Sequence, residues 1–404
     1  MTTGTTSTLV IRTLVGTGEP GYAGDGGPAA AASLNEPKGL CVDREGNLYI
    51  ADSENHVVRR VDRKTGVITT VAGIGPGGTA APMTAPEPVA MQTEEEEDPF
   101  ADTSSDSTKA YTQVTDLSGT VRYVTGGRLT IEQDSGDGGP ARGARLNFPS
   151  AVAVDRLGNV YIADTMNHRI RRVDAETGII THVAGTGQAR YSGDGGPAVQ
   201  AAINEPTGLA VTDEALYIAD QSNNRVRRVD LATGIITTVA GDGSAAYSGD
   251  QVPAVQASLA GPSGVAMGDD GVLYVADTFN SRIRSVDPES GAIATVAGDG
   301  GTYRYQGPEE PASLSLSRPA GIAIGHDGRV YLTDSDSHLI RVWSGRTNTI
   351  TRLSGTGAAQ FGGDGGDALA GSFSYPFGVA VDAAGTVYVA DTFNHRIRVL
   401  TAIA

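Results

Sequence analysis

The feature that most constrains this fold is an internal repeat with a period of about 57 residues. The segment IADSENHVVRRVD, which begins at Ile50, recurs as IADTMNHRIRRVD from Ile162 and as IADQSNNRVRRVD from Ile218. Related segments follow as VADTFNSRIRSVD, LTDSDSHLIRVW and VADTFNHRIRVL. The aspartate that these segments share recurs at intervals of 112, 56, 57, 57 and 57 residues, at Asp52, Asp164, Asp220, Asp277, Asp334 and Asp391. Such a chain is built from copies of one supersecondary unit that bury their core against each other.

Because 112 is twice 56, the first interval predicts a further unit between the first two. The segment from Ala101 to Gly127, ADTSSDSTKAYTQVTDLSGTVRYVTGG, aligns with ADTMNHRIRRVDAETGIITHVAG if a few extra residues are allowed. Its first two strands are the weak part, since QTEEEEDPF replaces a normal strand and turn. We therefore predict seven units with a degenerate second one. The alternative is six units with an inserted acidic loop.

Each clear unit contains four short β-branched runs separated by turn residues, as in GLCVD, NLYIAD, VVRRVD and VITTVAG. Such runs predict a four-stranded antiparallel meander, and its repetition predicts an all-β propeller within one domain, residues 1–404. The last unit stops after its third strand, whereas VIRTLVGTG near the N-terminus, from Val10, matches the fourth-strand sequence IITHVAGTG from Ile179. The N-terminal strand is therefore predicted to complete the C-terminal blade, which would remove a free sheet edge.

The units resemble NHL repeats, which are named after the Asn-His motif present here at Asn55-His56, Asn167-His168 and Asn394-His395. The linker sequence GDGGPA recurs at similar offsets, and the resemblance covers nearly the whole chain. It implies a β-propeller, commonly one with six blades.

Composition restricts the partners. The net charge of −17 argues against duplex nucleic acid and anionic membranes. A single cysteine excludes an internal disulfide, and the first residues lack the basic and apolar regions of a signal peptide. We predict a cytoplasmic monomer that does not bind membranes.

Residues that recur in every unit are expected to serve the fold rather than one active site. The repeated aspartate ends a strand before a turn, where a carboxylate accepts hydrogen bonds from amides. The position four residues after this aspartate is a histidine in four of the clear units, at His56, His168, His338 and His395. In the other two it is Asn224 and Ser281, and no two histidines show metal-ligand spacing on one element. We predict structural histidines, without a metal or other cofactor.

Three further recurrent features also have structural interpretations. Tracts such as RIRR from Arg169 alternate arginine with an apolar residue, as a strand does, and we expect solvated, salt-bridged faces. In GDGGPA the aspartate is expected to cap a short helix, with the proline in its first turn. Cys41 occupies a slot that is alanine in other units, which predicts a buried, inert thiol.

Function is expected where the units differ. The linker before each first strand ends in a proline, and it should open on the same face as the turn between the second and third strands. The residue before the proline is Glu36, Glu87, Phe148, Glu205, Gly261, Arg318 or Tyr375. The residue after it is Lys38, Val89, Ser150, Thr207, Ser263, Ala320 or Phe377. The varying residue of the second loop is Glu54, Met166, Ser222, Phe279, Asp336 or Phe393.

Together these positions predict a funnel with apolar walls and a few charges, a composition typical of a small-ligand site. The first hypothesis is that the funnel binds a small organic molecule and performs non-redox chemistry of the lyase or cyclase type. Glu36, Glu205 or Asp336 would act as general base. Arg318 or Tyr375 would stabilise developing negative charge. Ligand contacts are predicted for Lys38, Phe148, Met166, Thr207, Phe279, Tyr303, Phe377 and Phe393.

The second hypothesis is a protein-interaction scaffold that uses the same face, with Phe279, Phe377 and Phe393 as anchors. The shape of the face discriminates between the two, since a deep funnel favours a small ligand and a flat aromatic face favours a protein. The segment 75–107, which contains EEEED, is interpreted either as a solvated loop or as a lid over the funnel.

Overall fold

The computed structural model describes residues 9–76, 111–115, 121–125, 136–301, 309–311 and 314–402. Within these ranges the chain forms six antiparallel sheets of four or five strands and one separate two-stranded hairpin. No helix of this described part is long and apolar enough to cross a membrane. The six sheets are the blades of a β-propeller, numbered I to VI in chain order.

Blades I to III each consist of four strands in sequence order. Blade I comprises β2 (Pro37–Val42), β3 (Leu48–Asp52), β4 (Val57–Val61) and β5 (Ile68–Ala72). A separate hairpin, β6 (Tyr111–Thr115) with β7 (Val121–Thr125), follows it in the sequence. Blade II comprises β8 (Pro149–Val154), β9 (Val160–Asp164), β10 (Arg169–Val173) and β11 (Ile180–Ala184). Blade III comprises β12 (Pro206–Val211), β13 (Ala215–Asp220), β14 (Arg225–Asp230) and β15 (Ile236–Ala240).

Blades IV and V each carry a short fifth strand from the preceding linker. Blade IV comprises β16 (Val252–Pro253), β17 (Val265–Met267), β18 (Leu273–Asp277), β19 (Arg282–Val286) and β20 (Ala292–Ala297). Blade V comprises β21 (Glu309–Pro311), β22 (Pro319–Ile324), β23 (Val330–Asp334), β24 (Leu339–Ser344) and β25 (Thr349–Ser354). Blade VI comprises β26 (Pro376–Val381), β27 (Val387–Asp391), β28 (Arg396–Ala402) and β1 (Leu9–Val15).

Short 3₁₀ helices occupy two loops of the repeat. Those in the linkers are Ala29–Ala31, Ala141–Gly143, Ala198–Gln200, Ala254–Gln256 and Ala368–Ala370. Those between the second and third strands are Ser53–Asn55, Thr165–Asn167, Gln221–Asn223, Thr278–Asn280, Ser335–Ser337 and Thr392–Asn394. The second set ends in a left-handed residue, such as His56 with φ 55°, which turns the chain into the third strand.

The propeller has six blades, so the prediction of seven is wrong. The first strands contact one another in a closed cycle, in the order β2, β8, β12, β17, β22, β26 and back to β2. Both β3 and β4 also contact β8, so blade I packs directly against blade II with no blade between them. The segment predicted to form the additional, degenerate repeat contains the hairpin of β6 and β7. This hairpin belongs to a separate compact unit of the chain, Pro82–Gln133. Residues 77–107 of the acidic segment lie outside the described residues.

The N-terminal strand closes the ring, as predicted. Strand β1 pairs antiparallel with β28, from Leu9 opposite Ala402 to Val15 opposite Ile397. The buried core lies between neighbouring blades; for example, Leu40 and Ile50 of blade I pack in one cluster with residues of blade VI. Closure therefore buries both faces of the blade that contains the two chain ends.

The inner strands approach so closely that a glycine is required at one position of most blades. An ideal Cβ on Gly264 would lie 2.2 Å from the carbonyl oxygen of Ala320 in the next blade. At Gly378 the corresponding distance is 2.1 Å, to the carbonyl oxygen of Lys38. Blade II carries Ala151 at the equivalent position, so five blades have the glycine and one accommodates a methyl group.

A buried ion-pair network lies inside each blade, which corrects two predictions. Arg59 is fully buried and pairs with Asp52 at 3.4 Å and with the linker residue Asp25 at 2.7 Å. This arginine is therefore not solvated, and the aspartate of GDGGPA binds it rather than capping a helix. The residue in the cap position is Pro28, which precedes the helix instead of lying in its first turn. Equivalent buried pairs are Arg171–Asp164, Arg227–Asp220, Arg284–Asp277, Arg341–Asp334 and Arg398–Asp391.

The repeated histidine connects neighbouring blades. In four blades its Nδ1 atom accepts a hydrogen bond from the backbone N–H of the residue before the next inner-strand proline, for example from Glu205 to His168 at 3.1 Å. The other three donors are Glu36, Phe148 and Tyr375, which bind His395, His56 and His338 at 3.0 to 3.1 Å. Asn224 Oδ1 accepts the same bond from Gly261 at 2.9 Å. The geometry supports the prediction of structural histidines.

We predict that Gly264→Ala lowers the free energy of unfolding by about 1–3 kcal/mol, because the new methyl group would overpack the contact with Ala320. Denaturant unfolding followed by the fluorescence of Trp343 measures the change. Gly362→Ala is the matched control, since a Cβ there meets no atom closer than 3.9 Å. An unchanged unfolding midpoint for Gly264→Ala would contradict the close approach.

The histidine junctions predict a pH dependence of stability. A neutral Nδ1 is needed to accept the amide proton, and burial lowers the pKa of all four junction histidines. Since the unfolded chain then binds protons first, their stabilising contribution is complete above about pH 6.5 and is lost as the pH falls. We expect replacement of all four by asparagine, as at Asn224, to reduce the loss of stability between about pH 7 and pH 5.

The control for this prediction compares two substitutions of one junction histidine at neutral pH. His168→Ala leaves the amide of Glu205 without its acceptor and should cost about 1–3 kcal/mol, whereas His168→Asn should cost less. Chemical denaturation across the pH range distinguishes these variants. The same acid sensitivity in the wild type and in the fourfold asparagine variant would rule out the histidines as its source.

Candidate functional site

The varying loop positions lie on one face of the propeller, as predicted. In blade I, Pro37 at the start of β2 pairs with Asp52 at the end of β3. The amide of Glu54 donates to the carbonyl oxygen of Asn35 at 3.2 Å, which holds the loop against the end of the linker. The other blades repeat this hydrogen bond, for example between Met166 and Asn147 at 3.1 Å.

We call this face the mouth surface. It consists of the residue before each inner-strand proline, the residue after it and the central residue of each loop between second and third strands. Its members are Glu36, Lys38 and Glu54; Phe148, Ser150 and Met166; Glu205, Thr207 and Ser222; Gly261, Ser263 and Phe279; Arg318, Ala320 and Asp336; and Tyr375, Phe377 and Phe393.

The residue before each proline has a left-handed backbone. The φ angles range from 46° at Glu36 to 53° at Gly261, and five of these six positions are not glycine. A left-handed conformation costs a non-glycine residue about 1 kcal/mol. The backbone alone would therefore favour glycine at these five positions.

The channel at the centre of the mouth surface is narrow. The axial cavity has a volume of about 50 Å³, which holds a few water molecules, whereas sites for organic ligands usually reach about 300–1,000 Å³. Its lining is formed by inner-strand residues, among them Gly39, Ser150, Thr207, Gly264, Gly321 and Phe377. Of the two shapes that discriminate between the hypotheses, this geometry is therefore not the deep funnel that would favour a small ligand.

The structure brings three of the predicted site residues together in blades IV and V. Arg318 and Asp336 form an ion pair at 3.5 Å, with the arginine side chain 60% exposed. The guanidinium of Arg318 also lies over the ring of Phe279, 5.5 Å from its centroid. Both charges are therefore already partnered within the mouth surface.

The aromatic residues of blade VI form a second group. The ring of Tyr375 packs edge-on against His338, with centroids 4.5 Å apart, and against Phe393 at 5.2 Å. The ammonium group of Lys38 lies 6.0 Å from the ring centroid of Phe377. The group is partly open to solvent, since Tyr375 is 41% and Phe393 is 49% exposed.

The predicted carboxylates lie in separate blades. Glu205 of blade III accepts a hydrogen bond from the Ser222 hydroxyl at 2.5 Å, and Glu36 lies in blade I. Within the described part of the chain, the five predicted catalytic residues do not share one cluster, although Arg318 and Asp336 are in contact. The geometry thus provides local pairs rather than one acid–base constellation.

A further carboxyl in blade I was not among the predicted catalytic residues. Burial, followed by the negative charge of Glu36, raises the pKa of Glu54. Lys38 acts on it in the opposite direction. The signal in the sequence was the single glutamate at a loop centre that otherwise holds apolar residues, serine or aspartate.

The remaining predicted ligand contacts differ in accessibility. Thr207 is only 8% exposed, and its hydroxyl donates to the carbonyl oxygen of Ser263 in the next blade at 3.3 Å. Met166 is 45% and Phe279 is 60% exposed, so both can contact a partner. Tyr303 lies outside the described residues.

No group of three or more histidine, cysteine, aspartate or glutamate side chains within the described ranges is arranged to hold a metal ion. Cys41 is half-buried, and burial raises the pKa of its thiol to about 11. The thiol is therefore protonated at neutral pH, which agrees with the predicted inert thiol, although the residue is half-buried rather than buried.

Two family models match the chain. The teneurin NHL domain model matches residues 14–97 and 107–192, and the NHL repeat model matches residues 259–284, 316–343 and 373–400. A similar curated protein is Protein SUPPRESSOR OF QUENCHING 1, chloroplastic, from Arabidopsis thaliana, which is 31% identical over 267 residues. The match covers 63% of this chain and 25% of that protein. The chain likewise matches less than half the length of further curated relatives.

Solved structures from Bacteroides thetaiotaomicron share the fold at low sequence identity. One, a structural genomics protein of unknown function, has a TM-score of 0.63 and 15% identity, with 98% of this chain and 76% of that chain covered. Another, described as an auxiliary nutrient binding protein, has a TM-score of 0.59 and 14% identity over the same shares. Together with the family models and the repeated Asn-His motif, this architecture shows that the chain belongs to the NHL-repeat β-propeller family.

Proposed function

We propose that the mouth surface docks a segment of another protein. The observation that carries the proposal is the set of large apolar side chains exposed on this face: Phe279 at 60%, Phe393 at 49%, Met166 at 45% and Tyr375 at 41%. Side chains of this kind are energetically important in protein interfaces, and aromatic residues in particular are enriched there. They occur in blades II, IV and VI, around the whole mouth rather than at one point.

The shape of the face supports the same proposal. The axial cavity of about 50 Å³ is too small to enclose an organic ligand. Arg318 and Asp336 pair with each other within the surface. A docked partner that leaves this ion pair intact therefore buries no unpaired charge there. A shallow face with exposed rings and paired charges suits an extended protein segment better than it suits a small polar molecule.

The left-handed positions add a second line of support. Glu36, Phe148, Glu205, Arg318 and Tyr375 hold side chains where glycine would be easier for the backbone. In two of these blades the ring packs on a junction histidine, which gives Phe148 and Tyr375 a structural contact as well. Glu205 and Arg318 instead bind Ser222 and Asp336 within the mouth surface, and partner recognition is a further role that we assign to them.

We expect the triple variant Phe279→Ser, Tyr375→Ser, Phe393→Ser to lose a stoichiometric polypeptide partner that the wild type retains. Removal of three interface anchors should weaken binding by at least about tenfold. The measurement is quantitative co-purification from an extract of the source organism, followed by binding assays with the identified partner.

The matched control is Leu157→Ser, which removes an apolar side chain that is 81% exposed in the turn between β8 and β9 on the opposite face. It should retain the partner. Equal retention by the triple variant and the wild type, with both folded by Trp343 fluorescence, would reject docking at the mouth surface.

A second candidate is non-redox chemistry on a small organic molecule, of the lyase or cyclase type, at the blade I part of the mouth surface. The observation that favours it is the raised pKa of Glu54 beside Glu36 and Lys38. A carboxyl that keeps its proton closer to neutral pH is suited to general acid–base catalysis. Cofactors are not required for such a step.

Native mass spectrometry of the protein recovered from its source tests this second candidate. Chemical conversion of a retained small molecule should be lost in Glu54→Gln, because the uncharged amide cannot exchange a proton. Glu45→Gln, in the turn between β2 and β3 on the opposite face, is the control and should keep it. If the wild type retains no small molecule while a polypeptide partner is bound, the chemical candidate fails.

A further inference from the structure

We infer that the docked segment presents an apolar side chain between two cationic groups, seated across blades I, II and III of the mouth surface. This inference rests on the proposed docking function and names the chemistry of the partner. It follows from where the exposed apolar atoms lie and from which charges of the surface lack an internal partner.

The apolar centre of this arc is formed by Phe148 and Met166 of blade II. The ring of Phe148 packs edge-on against His56 of blade I, with centroids 4.5 Å apart. Met166 lies beside it on the loop of the same blade and is 45% exposed. These two side chains offer a small apolar seat at the junction between blades.

A carboxylate group lies on each side of this seat. On the blade I side, Glu54 is two residues from His56 in the same loop, and Glu36 is close enough to influence its charge. On the blade III side, the amide of Glu205 donates to His168, which is two residues after Met166. His56 and His168 therefore connect the three blades so that carboxylates of blade I, the apolar side chains of blade II and the carboxylate of blade III follow one another around the mouth.

The positive charges of this face are engaged elsewhere. Arg318 pairs with Asp336 and covers Phe279, and Lys38 lies over Phe377. Farther out, Arg225 stacks on Tyr191, with 3.7 Å to the ring centroid, and donates to the carbonyl oxygen of Asp242. These arginines cannot neutralise the arc without leaving an aromatic or carbonyl partner.

The carboxylates of the arc, in contrast, form no ion pair among the described residues, although the charge of Lys38 lowers the pKa of Glu54 in part. Within the described part of the chain, neither Glu36 nor Glu54 lies within ion-pair distance of an arginine or lysine, and Glu205 binds the neutral hydroxyl of Ser222. The unpaired charge on this side of the mouth is therefore negative. Electrostatic complementarity then selects a segment with lysine, arginine or an amino terminus on both sides of its apolar residue.

Selection of a random-peptide display library on the full-length protein tests this chemistry directly. Peptides enriched on the wild type should carry cationic residues that flank an aliphatic or aromatic residue. Synthetic peptides of that class should bind at least about tenfold more weakly to the variant Glu36→Gln, Glu54→Gln, Glu205→Gln. Their wild-type affinity should also fall as the salt concentration rises.

The matched control is Glu45→Gln, Glu176→Gln, Glu214→Gln, which changes the net charge equally on turns of the opposite face. It should bind the peptides like the wild type. Enriched peptides without cationic residues, or equal binding to both glutamine variants, would overturn the inference while leaving docking intact. Failure of the wild type to enrich any peptide would instead reject docking itself.

Discussion

The buried ion pair between Arg59 and Asp52, repeated in every blade, is the interaction on which the mouth surface depends. The guanidinium binds the aspartate at the end of β3 and, at the same time, the linker residue Asp25. The carboxylate of Asp52 also accepts the backbone amide of Asn35 at 2.7 Å and the side chain of Asn55 at 2.8 Å. One charged group thus fixes the linker, a strand end and a loop, and the variable residues lie next to these anchored atoms.

Burial makes this network costly as well as specific. It raises the pKa of Asp52, Asp164 and Asp334 to about 6, above about 3.9 for an unfolded aspartate. Such groups take up protons first in the folded state, so their burial disfavours folding above about pH 6, and this cost is relieved as the pH falls from about 6 to about 4. The junction histidines act in the opposite direction. The pH dependence of the whole protein is therefore a difference between the two sets, and only a comparison of variants can isolate either one.

Sequence patterns were sufficient for the repeat, the four-stranded blades, the closure by β1 and the face that carries the variable residues. They failed for the number of blades because ring closure is decided by contacts such as β2 with β8, which a local alignment does not measure. The partner of Asp25 was missed for a similar reason, since Arg59 lies 34 residues away and the Gly-Pro-Ala context is typical of a local cap. Of the site, the positions were predictable, whereas the depth of the channel and the pairing of Arg318 with Asp336 depend on tertiary packing.

The blade junctions also explain how one fold can hold so many different residues at equivalent positions. His168 binds the backbone amide of Glu205, and the same bond reaches Phe148 or Tyr375 at other junctions. Because every residue type except proline supplies that amide, the junction forms without regard to the side chain. The cost of a side chain here is the left-handed backbone, about 1 kcal/mol for each residue. The inner strands are in contact and the channel between them is narrow. The side chains that vary from blade to blade are therefore accessible only on the rim around the axis. In the docking function proposed above, recognition therefore depends on the order of side chains around the mouth, which the junctions keep in place.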